Sequence, residues 1–505
     1  MALAKVRTLA LLGLVGHLVD VEVDISDGLP GYTLLGLPDA ALSESRERVR
    51  SALLNSGLPW PNKKVTISLS PAWLPKSGSH YDLPIAIGLL AAQGVVENTV
   101  PETLVLMGEL GLDGAIRFVR GVLPTLIASL AFGAKSAIVP VENYREAQAV
   151  PGLQVSAFTS LTEVVHFLQT GNSPIQEVSQ EPEETHDFLD LIDVVGQTQA
   201  RYALEVAAIG GHHLLLIGPP GTGKTMLAER ISTILPVLTP AESLEVSAIH
   251  SVAGSLATRG LLTRTPPFVA PHHTTTTTAM VGGGSHAVKP GAVSLAHAGI
   301  LFIDEAPECA SGVLDSLRQP LESGCVTISR AVGTVTYPAS FLLVLAANPC
   351  PCGKFNGRAR GCTCSSREIR NYLKKLSGPL LDRIDIRAFV EAPTRLEMAS
   401  EMHGESSALV KSRVVSARAV AADRFSGERW SINSKIPSSE LRGRFKAERS
   451  AMAFLHKELD SERLSARGFH KVLRVAWSIA DGCGDIRPTR SSVEQAFLMR
   501  EGSFL

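Results

Sequence analysis

The sequence has no long hydrophobic run, no excess of charge of either sign and few cysteines. No stretch approaches the roughly 18 uninterrupted apolar residues of a membrane-spanning helix, so no membrane partner is predicted. Lysine and arginine total 48 and aspartate and glutamate 49, so the overall charge gives no indication of nucleic-acid binding. Seven cysteines among 505 residues are too few for a disulfide scaffold. Apolar residues at 45% and charged residues at 19% exclude wholesale disorder.

The N-terminus resembles a secretory signal only superficially. Lys5 and Arg7 precede the short apolar stretch 8–16, but no small-x-small cleavage site follows. The stretch runs directly into the alternating sequence of residues 19–25, which favours the first strands of a folded domain. Together with clustered, reduced-looking thiols, this pattern predicts a cytoplasmic protein.

At about 100–200 residues per domain, the length predicts about three domains. An acidic, proline-containing segment at 171–190 is the predicted linker. We expect an α/β domain at 1–170 and a second α/β unit, an ATPase core, at 191–392. Residues 393–505 are rich in Ala, Arg, Glu and Leu at helical spacing, which predicts a small helical lid. The predicted fold class is therefore multidomain α/β with a C-terminal α-helical domain.

A phosphate-binding loop follows the apolar stretch Leu214–Ile217 and precedes a helix-forming segment. Its residues are Gly218, Pro219, Pro220, Gly221, Thr222, Gly223, Lys224 and Thr225. The glycines allow backbone N–H groups to face phosphate oxygens, and a helix N-terminus adds a favourable dipole. We expect Lys224 to contact the β- and γ-phosphates of ATP and the Thr225 hydroxyl to bind Mg²⁺.

Two further strands end in polar groups suited to ATP hydrolysis. The predicted strand at 299–303 is followed by Asp304 and Glu305. We expect Asp304 to hold Mg²⁺ and Glu305 to polarise the attacking water. Residues 341–347 end in Asn348, whose amide can orient that water near the γ-phosphate. A pair of carboxylates after a strand is by itself weak evidence for an ATP-hydrolysis site. The evidence becomes strong when the pair follows a phosphate-binding loop by about eighty residues.

Two arginines are candidates for contacting the γ-phosphate. Arg383 follows a Leu-Leu-Asp run and is expected to reach the nucleotide of a neighbouring subunit. The alternative is a surface ion pair with Asp382 or Asp385. Arg467, at the start of a lid helix, is expected to sense the γ-phosphate, and Arg474 lies on the same helical face.

Four cysteines fall within fifteen residues: Cys350, Cys352, Cys362 and Cys364. Four soft ligands suit tetrahedral Zn²⁺ in a structural site. Free thiols or a redox pair are the alternative. Basic residues crowd the same loop, which predicts contacts with DNA phosphates from Lys354, Arg358 and Arg360. The adjacent His272 and His273 favour a functional loop pair or a local hydrogen bond over metal binding.

These motifs, in this order, resemble those of AAA+ ATPases from residue 193 to about 496. The magnesium-chelatase-like branch of that class is indicated by APHH at 270–273, VGGG at 281–284 and SLAH at 294–297. Residues 325–338 alternate as a β-hairpin just before the third strand, with Arg330 near its tip. We expect Arg330 to contact a DNA backbone.

Residues 3–170 resemble the proteolytic domain of Lon proteases, with matching stretches at 75–78, 108–114 and 132–140. The catalytic pair is missing. His80 occupies the position of the nucleophilic serine, and the sequence Gly-Val-Leu-Pro at 121–124 lies where the lysine is expected. Ser77 and Ser79 are out of register, so the domain is expected to be catalytically degenerate and to serve oligomerisation or DNA handling.

The combination of domains resembles the ComM/YifB family over essentially the whole chain. That resemblance implies a hexameric ATP- and Mg²⁺-dependent DNA helicase for branch migration of recombination intermediates in natural transformation, with DNA and recombinase proteins as partners. Residues 350–390 contain nine basic and three acidic residues, and residues 411–500 contain 18 and 10, which favours phosphate-backbone binding. A magnesium-chelatase motor subunit and a Lon-type protease are the alternatives.

Overall fold

The computed structural model describes residues 2–97, 100–172, 189–256, 264–284, 288–330, 333–355, 361–394, 397 and 404–501. The chain is α/β, as predicted, with two main sheets and a helical C-terminal region. Most of the predicted linker lies outside the described residues, as do Arg358 and Arg360. No helix within the described ranges is both long and apolar enough to cross a membrane.

The N-terminal α/β unit (residues 2–172) is built on a seven-stranded sheet in the order β3-β4-β2-β1-β5-β8-β9. Its strands are β1 (Ala2–Leu12), β2 (Val15–Ser26), β3 (Gly31–Leu35), β4 (Lys64–Ser70), β5 (Leu104–Leu106), β8 (Ser136–Pro140) and β9 (Gln154–Phe158), with β6 (Glu109–Leu110) and β7 (Ile116–Arg117) as a separate pair. Its helices are α1 (Ala40–Ser43), α2 (Ser45–Asn55), α3 (Asp82–Ala92), α4 (Val122–Ala131), α5 (Tyr144–Gln148) and α6 (Leu161–Thr170). The first two strands form an antiparallel hairpin, which confirms the reading of the N-terminal segment as strands. Val19, Val21 and Val23 of β2 are buried in alternation, as a strand covered on one face requires.

The second sheet consists of five parallel strands in the order β11-β14-β17-β10-β18. They are β10 (Leu214–Ile217), β11 (Phe268–Val269), β14 (Ile300–Ile303), β17 (Leu342–Ala347) and β18 (Ile386–Phe389). The flanking helices are α7 (Thr198–Gly210), α8 (Lys224–Ile234), α9 (Pro240–Ala253), α10 (Thr277–Val281), α11 (Ala292–Leu295), α12 (Ser311–Ser316), α13 (Arg318–Ser323), α14 (Ser366–Lys374) and α15 (Gly378–Leu381). The carboxyl ends of parallel strands all lie at the same edge of a sheet. The residues that follow β10, β14 and β17 therefore lie close to one another.

Two short antiparallel hairpins extend from this core. One pairs β12 (Gly282–Gly283) with β13 (Lys289–Pro290), and the other pairs β15 (Cys325–Arg330) with β16 (Gly333–Pro338). The second confirms the hairpin predicted from the alternating sequence. The Tyr337 hydroxyl, near the base of the larger hairpin, donates a 2.7 Å hydrogen bond to the carbonyl of Val288 in the loop of the smaller hairpin.

The N-terminal α/β unit contacts the ATPase core at two places. The Ser251 hydroxyl of α9 donates a 2.7 Å hydrogen bond to Glu146, and its carbonyl accepts one of 3.1 Å from the N–H of Gly121. Gly13, in the turn between β1 and β2, meets the hairpin strand β16. A Cβ atom at Gly13 would lie 2.3 Å from Cγ1 of Val335, so only glycine permits this approach.

The C-terminal helices are α16 (Ser407–Arg424), α17 (Ser438–Arg442), α18 (Arg449–Asp460), α19 (Ala466–Cys483) and α20 (Arg490–Glu501). They share one hydrophobic core with α7, α8 and one face of the five-stranded sheet. The helical lid thus has the predicted secondary structure, while the domain boundaries stay a prediction. A buried ion pair joins lid to sheet: Nζ of Lys471 lies 2.5 Å from Asp385 at the start of β18.

Replacing Lys471 by alanine should destabilise this junction by about 3–5 kcal/mol, because a buried carboxylate loses its cation. Burial alone would raise the pKa of Asp385, but Lys471 and His212 outweigh it and hold that pKa well below its usual range. The wild-type stabilisation is therefore present above the unfolded carboxyl pKa of about 3.9 and is lost as the pH falls through the folded pKa. Hydrogen exchange of β10 and α19 should show the difference between variant and wild type at pH 7 and a smaller one in acid. Exposed Lys446 replaced by alanine is the control, and equal protection in both variants would contradict the prediction.

Candidate nucleotide-binding site

The phosphate-binding loop connects β10, which lies between β17 and β18 in the five-stranded sheet, to α8. Gly223 has φ of 84°, a left-handed conformation that L side chains disfavour. The buried ammonium of Lys224 donates to the carbonyls of Gly218 at 2.7 Å and Pro219 at 2.9 Å, and to Oδ1 of Asn348 at 3.0 Å. The ammonium group of Lys224 therefore lies between two carbonyl groups of the phosphate-binding loop and the side-chain amide of Asn348, which follows β17.

The electrostatics of Lys224 suit an anionic ligand. Burial lowers its pKa, whereas Asp304 and Glu305 act in the opposite direction. A phosphate group bound beside the ammonium supplies negative charge that favours the protonated form.

Oxygen ligands for a hard cation gather at the end of β14. The Thr225 hydroxyl donates a 2.7 Å hydrogen bond to Oδ2 of Asp304. The backbone N–H of Glu305 donates one of 2.8 Å to Oδ1 of the same carboxylate. A hydroxyl and a carboxylate so placed are ligands that Mg²⁺ accepts alongside water and phosphate. Glu305 itself has φ of 48°, a strained conformation for a non-glycine residue and one found at functional sites.

His273 lies against Glu305, with 3.5 Å between Nδ1 and Oε2. Its neighbour His272 stacks on it with ring centroids 4.1 Å apart and is hydrogen-bonded to Thr274 at 2.8 Å. The interpretation of the pair as loop residues with local hydrogen bonds fits this arrangement. The contact between His273 and Glu305 was not predicted, because nothing in the sequence relates residues 32 positions apart on neighbouring strands.

Gln197 is a second site residue that sequence reasoning missed. Its side-chain amide donates to the carbonyl of Thr222 at 2.5 Å and to that of Glu391 at 3.3 Å. It therefore ties the phosphate-binding loop to the segment after β18. A single glutamine outside any motif gives no signal in the sequence.

The two candidate arginines have different environments. The guanidinium of Arg383 pairs with Glu322 and donates a 2.7 Å hydrogen bond to the carbonyl of Pro379. Arg383 thus makes an ion pair, as the alternative interpretation expected, but with Glu322 and not with Asp382 or Asp385; Asp385 is buried and bound to Lys471.

Arg467 is exposed in the first turn of α19, as predicted. Arg474 does not share that exposed position. Its Nε donates a 2.8 Å hydrogen bond to the carbonyl of Ile436, and burial lowers its pKa. It is therefore held by the lid and is a poor substitute for Arg467.

The four clustered cysteines meet in space. Their Sγ atoms all lie within 4.8 Å of one another, with Cys350 3.4 Å from Cys352 and 3.8 Å from Cys362. Tetrahedral zinc with Zn–S bonds of about 2.3 Å requires sulfur atoms about 3.8 Å apart, so the donor set fits the metal. The backbone N–H of Lys354 lowers the pKa of the Cys352 thiol to about 6. At Cys362 and Cys364 backbone N–H groups also act to lower the pKa, but desolvation and the neighbouring thiols outweigh them and raise it. Among the described residues this is the cluster with metal-ligand geometry.

Basic residues are exposed near the cluster and on the larger hairpin. Lys354 is exposed, and α14 presents Arg367, Arg370 and Lys374 at helical spacing, opposite its buried Tyr372. Arg330 is exposed at the end of β15.

Many lid arginines, in contrast, are engaged within the chain. Arg413 binds Glu205 and Glu405, Arg424 binds Asp481, and Arg418 donates to the carbonyl of Ala208. Part of the lid's set of basic residues is therefore engaged in an internal network, whereas Arg429, Arg442, Lys446 and Arg449 are exposed.

Around Ser79 and His80, the hydrogen bonds of the described residues include no serine–lysine pair. The Ser79 hydroxyl donates to Glu109, and Nζ of buried Lys76 donates to the carbonyl of Pro71. Burial lowers the pKa of His80 to about 4, and its ring is hydrogen-bonded to the carbonyl of Leu9 at 3.1 Å.

The strand order, the phosphate-binding loop after β10, the carboxylates after β14 and the amide after β17 define a P-loop ATPase of the AAA+ class. Comparison with known proteins gives the family. Residues 21–143 match the family described as subunit ChlI of Mg-chelatase, residues 190–398 match magnesium chelatase, subunit ChlI, and residues 404–500 match its C-terminal part. The chain belongs to the ComM/YifB family of magnesium-chelatase-like AAA+ proteins.

Relatives match over nearly their whole length. An uncharacterised protein of Mycobacterium tuberculosis is 46% identical over 99% of both chains. YifB of Escherichia coli is 42% identical over 99% of this chain and 97% of its own. The competence protein ComM of Haemophilus influenzae is 40% identical over 96% and 95%. Family membership implies an ATPase that uses ATP and Mg²⁺.

Proposed function

We propose that the chain is an ATP-driven DNA helicase that works as a homo-hexamer and promotes branch migration of recombination intermediates during natural transformation and homologous recombination. The observation that carries the proposal is the hairpin β15–β16. It is inserted between β14, which ends in Asp304 and Glu305, and β17, which ends in Asn348. Residues 306–324 join Glu305 to the hairpin, and β17 joins the hairpin to Asn348, so a change in the bound nucleotide at these strand ends can reach the hairpin along the chain.

The charge distribution supports DNA as the substrate. Arg330 is exposed on the hairpin, and one terminal nitrogen of its guanidinium would lie 3.4 Å from a Cβ atom placed on Gly283, so it extends beside the smaller hairpin. Lys289 of that hairpin is also exposed. Cations on two adjoining hairpins suit the phosphates of a strand without selecting its sequence.

ATP, Mg²⁺ and a structural Zn²⁺ are the proposed cofactors, and DNA, further copies of the chain and recombinase proteins are the proposed partners. The name of the relative in Haemophilus influenzae, a competence protein, favours a role in transformation. A chelatase motor subunit would share the ATPase site, but that function does not explain the basic loop that carries the four clustered cysteines. Proteolysis has no support from the region around Ser79 and His80.

ATP hydrolysis by the purified protein should rise about tenfold with single-stranded or branched DNA and fall again with added salt. Replacing Arg330 by alanine should remove most of this stimulation and leave the DNA-free rate unchanged. Arg444, whose guanidinium is already paired with Glu428, is the matched control when replaced by alanine.

The Arg330→Ala variant should also lose most of the strand displacement and four-way junction migration of wild type, and the Arg444→Ala variant should keep both activities. Turnover that ignores DNA and rises instead with a porphyrin or an unfolded polypeptide would overturn the proposal and favour the chelatase or the protease.

A further inference from the structure

The four-cysteine cluster lies directly against the nucleotide site. Cys350 follows Asn348 by two residues, and Asn348 contacts Lys224. Gly353, in the turn between the first two cysteines and Lys354, has φ of 74°. A Cβ atom there would lie 2.5 Å from Cδ of Pro220, so this backbone touches the ring of a phosphate-binding-loop residue.

The segment that follows the last cysteine of the cluster, Cys364, leads to a helix that also contacts Asn348. Cys364 immediately precedes Ser365, which caps α14 together with Glu368. Tyr372 of that helix is buried, and burial raises its pKa to about 12, while the backbone N–H of Asn348 faces its oxygen and acts in the opposite direction. Asn348 is thus supported by the chain that enters the cluster and by the helix that leaves it.

Apolar burial cannot hold this segment in place by itself. Among the described residues of 350–365, only Cys350 and Gly353 are buried. Ordering each residue costs about 1–2 kcal/mol of conformational entropy, which two buried positions do not offset. A metal bound by four thiolates contributes its binding free energy to the folding of such a loop and releases the thiol protons to solvent.

We propose that the metal at Cys350, Cys352, Cys362 and Cys364, Zn²⁺ by its donor set, controls the ATP site. With the metal bound, the loop positions Pro220 and Asn348 for nucleotide. Without it, both residues lose their support, and ATP binding and hydrolysis fall together. The inference rests on the proposed ATPase function and adds that this function requires a loaded thiolate site.

Three variants separate the parts of this proposal. Cys362 and Cys364 replaced together by serine remove half of the ligands. Gly353→Ala keeps all four thiols but forces a side chain against Pro220. Cys483→Ser, at an exposed thiol in α19, is the control for loss of a cysteine. The measurements are zinc per chain, affinity for a fluorescent ATP analogue, ATP turnover, and hydrogen exchange in the phosphate-binding loop and α14.

Wild type should carry about one zinc per chain. The double cysteine variant and chelator-treated wild type should lose it, bind nucleotide at least about tenfold more weakly and exchange faster in both segments. Readdition of Zn²⁺ should restore only the treated wild type. Gly353→Ala should keep its zinc and still bind nucleotide about tenfold more weakly.

Metal-free wild type that binds and hydrolyses ATP normally would overturn the inference and leave the proposed ATPase function standing, as would a purified chain that holds no metal. Zinc-loaded wild type that neither binds nor hydrolyses ATP would overturn the proposed function itself. Loss of exchange protection across the whole chain in the double variant would indicate general unfolding, and the comparison then rests on Gly353→Ala and reversible chelation.

Discussion

Replacing Arg383 by alanine is expected to lower ATP turnover about a thousandfold while the ATP affinity of a single chain stays nearly unchanged. Within one chain the described partners of Arg383 are Glu322 and the carbonyl of Pro379, and neither belongs to the phosphate-binding loop. An arginine that stabilises the transition state from a neighbouring subunit contributes to hydrolysis without contributing to binding in its own chain. Steady-state turnover and analogue binding, measured on the same preparation, test this separation.

Mixing variants tests whether the arginine acts between subunits. Lys224→Ala should abolish nucleotide binding, so each variant alone is inactive. A mixture of Arg383→Ala with Lys224→Ala chains should recover part of the activity, because some interfaces then combine an intact arginine with an intact loop. The Glu322→Gln variant tests the alternative that Arg383 only forms a structural ion pair with Glu322. If Arg383 acts on the neighbouring nucleotide, this variant should keep ATP turnover within about twofold of wild type. Activity in the Arg383→Ala chain, or in highly diluted single wild-type chains, would exclude the proposed role.

Replacing Glu305 by glutamine is expected to leave ATP bound but to reduce hydrolysis about a hundredfold or more, because an amide cannot accept the proton of the attacking water. The carboxylate is well placed for that role, since its backbone holds Asp304 and its side chain lies beside His273. Single-turnover hydrolysis of pre-bound ATP isolates the chemical step from binding and release.

Glu308 provides the matched control for this carboxylate. It lies three residues further on, and its ion pair with Lys375 is solvent-exposed, with 3.3 Å between the charged atoms. Glu308→Gln should therefore hydrolyse ATP within about twofold of wild type. If the two variants behave alike, general acid–base chemistry does not reside at Glu305.

The nucleotide site could be predicted from sequence because its chemistry is local. Lys224 and Thr225 sit in a contiguous motif, and Asp304 and Asn348 each end a short apolar strand. Parallel pairing of those strands then brings them together without further information. The apolar stretches at 214–217, 299–303 and 341–347 agree with β10, β14 and β17 to within one residue.

Partners distant in sequence could not be predicted in this way. Glu322 lies 61 residues from Arg383, and Lys471 lies 86 residues from Asp385, so sequence proximity suggested the wrong ion pair. Counting charges was also incomplete in the lid, because a count does not distinguish an exposed arginine from one, such as Arg418, that is bound to a backbone carbonyl. Tertiary packing decides both questions.

The close approach of Gly13 to Val335 has a mechanical consequence. Strand β16 of the larger hairpin meets the turn between the first two strands at Val335, with no room for even a methyl group on Gly13. If the hairpin moves during ATP hydrolysis, as the proposed helicase function requires, it must carry the N-terminal α/β unit with it or disengage from it. The hydrogen bonds of Ser251 to Gly121 and Glu146 fasten the same unit to α9. In the proposed helicase, the N-terminal α/β unit would therefore limit how far the larger hairpin can move in one cycle of ATP hydrolysis.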